Sequence, residues 1–130
     1  MCNETTKGLG INEYQEGAMT TCLPASANFA YMSLNLVGEV GEISSKVAKG
    51  IRKGFVAVDT EGNINPVEGR EAEFETLRNE LKFEIGDVMW QTVGLCKVLG
   101  FSAEEVANAN LGKLSDRKKR NVIDGNGDHR

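Results

Sequence analysis

The stretch ANFAYMSLNLVGEVGEISSKVAKGIR, Ala27 to Arg52, decides how this chain is read. Its apolar residues Phe29, Met32, Leu36, Val40, Ile43, Val47 and Ile51 recur at steps of three and four. At about 100° per residue those steps fall on one face of a long helix. The spacing is close to a heptad seam, so the face predicts packing against other helices in a bundle. Gly54 marks the end, because glycine adopts the left-handed conformation that closes a helix at little cost.

Upstream, Thr20 to Ser26, with Pro24, reads as a break. Before it, Asn12 is expected to cap a short first helix, with Gln15 completing a capping box and Tyr14, Ala18 and Met19 as its apolar residues. Downstream, the connection from Gly54 to Gly69 holds two turn signals, Asp59-Thr-Glu-Gly-Asn63 and Asn65-Pro66. Phe55 to Val58 is β-prone, which predicts a small hairpin, and the length of the connection suits a mobile flap over a site.

A third helix is expected from Arg70 to Leu99. Leu77, Leu81, Ile85, Val88, Thr92, Leu95 and Leu99 form one face, and Phe83, Trp90 and Val93 lie off it. A helix apolar on two sides is usually buried on both, which predicts an oligomer, expected here as a homodimer or homotetramer. Gly100 ends this helix. Ser102 and Glu105 make a capping box opening a fourth, to about Lys118. Residues 120–130 read as a glycine-rich tail. The expectation is one all-α domain, residues 1–130, built as a helical bundle.

Composition limits the chemistry. Hydrophobic residues make up 40% and charged residues 26% of the 130, as in soluble globular chains. No run approaches the length of a membrane span, and Met1 to Gly10 lacks the apolar core of a signal peptide. Three cysteines (Cys2, Cys22, Cys96), an odd number without zinc spacing, read as reduced thiols, which points to the cytoplasm. The single histidine, His129, makes a zinc site or a Ser-His-Asp triad improbable and leaves no Glu-x-x-His motif for a di-iron bundle. Asp124-x-Asn126-x-Asp128 has His129 where a calcium loop needs glycine, and Gly50-Ile-Arg-Lys-Gly54 is not a P-loop. From Asn110 onward six basic residues face three acids, while the preceding residues hold nine against sixteen. An acidic body with a basic tail suits an anionic ligand bridged by cations better than a stable nucleic-acid complex.

Two acid pairs stand out. Glu39 and Glu42 are three apart on the second helix, and Glu84 and Asp87 repeat the spacing on the third. Side chains at this spacing rise from one surface, about 5–6 Å apart. Glu39 and Glu84 each edge the apolar face, so antiparallel packing would bring all four carboxylates to one side of the shared seam. Oxygen ligands alone select a hard cation, magnesium or manganese, usually shared with substrate phosphates. Spacing equally permits solvated ion pairs, such as Glu42 with Lys46.

The segments Leu36-Val-Gly-Glu-Val-Gly-Glu-Ile-Ser44 and Glu84-Ile-Gly-Asp-Val-Met-Trp90 resemble the core of the MazG-type nucleotide pyrophosphohydrolases. That family has E-E-x-x-E followed by E-x-x-D. Asn110-Leu-Gly-Lys113-Leu-Ser-Asp-Arg117 resembles its N-x-x-K-L-x-x-R element, and Asn12-Glu-Tyr-Gln-Glu-Gly-Ala18 is similar to the first helix of short, phage-type members. Gly38 replaces the first glutamate of the motif, which leaves the number of metal ions open; Glu80, on the stripe of Glu84 and Asp87, can partly compensate.

The resemblance implies an all-α NTP pyrophosphatase fold and cleavage of a nucleoside triphosphate to monophosphate and pyrophosphate. Glu39, Glu42, Glu84 and Asp87 would hold magnesium, and an acid not fully engaged, such as Glu39, would orient the attacking water. Lys113 and Arg117, with Lys49 and Lys53, are candidates to steady the phosphates, and Asn110 to bond substrate. Trp90 fits either a nucleobase contact or an oligomer core. A phage-encoded member would act in the host cytoplasm. The competing expectation is a non-catalytic helical oligomer with a regulatory or scaffold role.

Overall fold

The computed structural model describes residues 8–125, so Cys2, His129 and the end of the glycine-rich tail lie outside the described residues. Four helices, α1 (Ile11–Met19), α2 (Phe29–Arg52), α3 (Glu71–Val98) and α4 (Ala103–Lys119), give an all-α architecture. A 3-10 turn, Pro24–Ser26, forms the break between α1 and α2. The connection after α2 is a two-stranded antiparallel hairpin, β1 (Val56–Val58) and β2 (Ile64–Pro66), with Val56 opposite Pro66. Asp59 accepts hydrogen bonds from the backbone N–H groups of Glu61 and Asn63 and from the Asn65 amide, fixing its turn. Those bonds hold the Asp59 carboxyl below the usual aspartate range, with the Asn63 N–H contributing most.

The helix boundaries follow the local signals. Asn28 caps α2 by accepting from the Tyr31 N–H at 2.8 Å. Ser102 and Glu105 form the expected capping box on α4. Gly54 and Gly100 follow α2 and α3 with φ of 81°.

Helices α2 and α3 pack antiparallel as the central pair. At one end the hairpin folds onto them: Val56, Phe74 and Leu77 are buried together, with Phe55, Ile64 and Leu81 packed around them. The connection is thus anchored by its own apolar side chains. At the other end Met32 is fully buried against Gly94, where a Cβ would meet its sulfur at 2.6 Å.

The expected capping box at the start of α1 is not formed. Gly10 occupies the N-cap position, and both polar residues reach across the fold to α4 instead. The Gln15 side-chain oxygen accepts from the Ala103 N–H at 2.9 Å, and the Asn12 oxygen from the Glu104 N–H at 3.0 Å. The Gln15 amide also donates to the carbonyls of Val93 and Phe101, each at 3.1 Å. The N–H of buried Ala103 must find a partner at the helix start, and Gln15 supplies it.

The second apolar side of α3 also divides. Trp90 is half-buried, and its indole N–H donates to the Ala18 carbonyl and Thr21 hydroxyl, both at 2.9 Å; Val93 is buried. Phe83, in contrast, is 70% exposed, and on α2 Leu34 and Val37 are 73% and 72% exposed. Part of the surface expected to need a second copy is therefore covered within the chain. No helix among the described residues is long and apolar enough to cross a membrane.

Candidate active site

The antiparallel register of α2 and α3 brings Glu39 opposite Glu84 and Asp87. One carboxylate oxygen from each lies within 4.8 Å of the others. Glu39 and Glu84 are half-buried and Asp87 is exposed. Three acids this close on two helices repel one another unless a cation intervenes, and an all-oxygen donor set fits a hard divalent ion. Glu42, one turn along α2, is exposed and lies outside this trio.

Neighbouring side chains fix the trio. The Asn35 amide, four residues before Glu39, donates to Glu39 Oε1 at 3.2 Å. The Tyr14 hydroxyl donates to the Gly86 carbonyl at 3.5 Å, bringing α1 against the turn that carries Asp87. Burial, with the Asp87 charge, pushes this phenol above its ordinary range.

Lys46 forms an ion pair with Glu84 at 3.4 Å and with Glu80 at 3.6 Å. The local alternative of a Glu42–Lys46 pair thus gives way to bonds across the helix pair, and Glu80 faces a lysine. Partial desolvation opposes the ammonium charge, but the two glutamates outweigh it and hold Lys46 above the ordinary lysine range. Lys46, Lys49 and Lys53 line a cavity of about 300 Å³ with Phe55, Glu73 and Glu80. The expected phosphate-binding pair Lys49 and Lys53 is therefore brought together, with Lys46 linking it to the trio.

Asn110 and Lys113 are exposed on α4 and Arg117 is buried there; none of the three belongs to the trio or lines the lysine cavity. Trp90 spends its N–H on the end of α1. Towards the other end of the helix pair, Met19, Cys22, Met32, Gly94 and Val98 line a second cavity of about 380 Å³. Phe29 and Tyr31, near the start of α2, are exposed.

Sequence reasoning missed Lys46 and Asn35 as parts of the site. Both carry a signal: Lys46 is two turns after Glu39 and Asn35 about one turn before it, so all three share a helix face. Gln15 and Asn12 carry no local signal, because their partners lie 78 to 92 residues away.

The family model of the MazG nucleotide pyrophosphohydrolase domain matches residues 28–122. The chain is also 35% identical over 127 residues to the Gene 37 protein of Mycobacterium phage L5, covering 92% of this chain and 98% of the relative. No solved structure matches it.

Proposed function

This chain belongs to the MazG nucleotide pyrophosphohydrolase family, as a phage-type member, and from that premise we propose that it hydrolyses a nucleoside triphosphate to the monophosphate and pyrophosphate with magnesium. The observation that carries this reading is the convergence of Glu39, Glu84 and Asp87 within 4.8 Å. Magnesium, or manganese, would neutralise phosphate charge and make a bound water acidic. Glu39, Glu84 and Asp87 would hold the cation, with Asn35 orienting Glu39; Glu42, exposed one turn along α2, is the remaining candidate ligand of the two acid pairs. Lys49 and Lys53 steady the departing pyrophosphate, since fixed cations stabilise the charge of a phosphoryl transition state. In this reading the substrate lies along the antiparallel pair. The lysine cavity lies on one side of the trio and the Met19/Met32 cavity on the other, so the nucleoside enters the latter. Asn110, Lys113 and Arg117 on α4 stay candidates for phosphate contact.

The exposed apolar residues Leu34, Val37 and Phe83 are covered in this reading by a second copy, in a homodimer or homotetramer. The test is pyrophosphate release from a panel of NTPs and dNTPs, with and without magnesium, on a sample whose mass is measured by light scattering. Wild type releases pyrophosphate only with the metal, and Glu84→Gln or Asp87→Asn loses about a hundredfold or more. Failure of every nucleotide would favour a non-catalytic helical oligomer.

A further inference from the structure

Lys46 stands where the carboxylate trio meets the lysine cavity. Its ammonium lies 3.4 Å from Glu84 Oε1 and 3.6 Å from Glu80 Oε2, and its side chain keeps 29% exposure. The same residue lines the cavity with Lys49 and Lys53. An ammonium and a divalent cation both draw on the lone pairs and charge of Glu84, so close binding of one opposes the other. The flexible four-carbon stem of lysine lets its charge move without the helix moving.

We propose that Lys46 is an internal counter-ion that the divalent cation displaces. With no cation bound it neutralises Glu84 and Glu80; on metal binding it turns into the lysine cavity, where it adds a third positive charge for the nucleotide phosphates. The inference rests on the metal-site reading and extends it to a coupling between ligands. Metal frees the lysine that phosphates attract, and by linkage phosphates that attract the lysine strengthen metal binding.

Manganese titrations without nucleotide, read by the electron paramagnetic resonance of the free ion, test this on the full chain. Lys46→Met should bind manganese about three- to tenfold more tightly than wild type, the scale of a partly exposed ion pair. Lys46→Arg keeps the competing charge and should stay near wild type. Lys49→Met, with no ion pair to the trio among the described residues, should shift affinity by less than about twofold. In EDTA, Lys46→Met should melt at lower temperature than wild type, and manganese should raise its melting temperature by the larger amount. An affinity for Lys46→Met no tighter than wild type, or a gain matched by Lys49→Met, overturns the proposal while leaving the metal site standing. Wild type that binds no manganese at millimolar concentration overturns the metal-site reading itself, and this inference with it.

Discussion

The two ends of the α2–α3 pair are closed differently, the hairpin end by an apolar cluster and the α1 end by buried Met32 together with a set of long-range hydrogen bonds. At the hairpin end, Val56, Phe74 and Leu77 are buried with Phe55, Ile64 and Leu81, all from one continuous stretch of chain. Bringing such neighbours together closes only short loops, and area burial needs no exact partner. At the α1 end, Gln15 and Asn12 bond groups 78 to 92 residues away. Each bond contributes about 1 kcal/mol net, but a buried group left unpaired costs about 1–3 kcal/mol. The hairpin end is therefore strong and tolerant, while the α1 end is exacting. The carboxylates of Glu39, Glu84 and Asp87 lie between them, so both closures set the distance across which a metal would be held.

Three substitutions test this contrast. Phe74→Ala should have the largest effect, about 3–5 kcal/mol in urea denaturation, because it empties the centre of the hairpin cluster. A loss below about 1 kcal/mol would show that the hairpin is not an energetic anchor.

Gln15→Leu should cost about 2–3 kcal/mol despite adding apolar surface, since the Ala103 N–H and the Phe101 carbonyl lose their partner. Hydrogen exchange should quicken first in α1 and the start of α4. Uniform quickening that includes the hairpin would erase the distinction between the two ends.

Asp59→Ala should have the smallest effect, a slightly lower melting temperature at pH 7. The folded-state pKa of Asp59 is depressed, so its contribution is present above the unfolded pKa and fades as pH falls through the folded one. The gap between variant and wild type should thus close on acidification below about pH 4. A gap independent of pH would mean that the Asp59 charge plays no part in the turn.

Much of this molecule was legible in order along the chain. The periodic apolar residues of α2 and the Ser102/Glu105 box gave helices close to their observed bounds, because those signals act within one or two turns. The acid pairs were legible as a candidate site for the same reason: three-residue spacing puts both members on one surface. Asn12 and Gln15 were misread as a local cap because a polar side chain near a helix start serves equally well as a tertiary partner. Sequence offered Trp90 as either a nucleobase contact or an oligomer-core residue, and nothing in it shows that Ala18 and Thr21 receive its N–H.

By itself, then, the sequence determined four helices, a hairpin and a family motif carrying two pairs of acids. Only the tertiary structure decided that Glu39, Glu84 and Asp87 converge, that Lys46 faces Glu84 and Glu80, and that α1 caps α4. The reason is range. Helix propensity, capping and turn chemistry act between residues a few positions apart, whereas charges and hydrogen bonds act between whichever groups packing brings within about 3–4 Å.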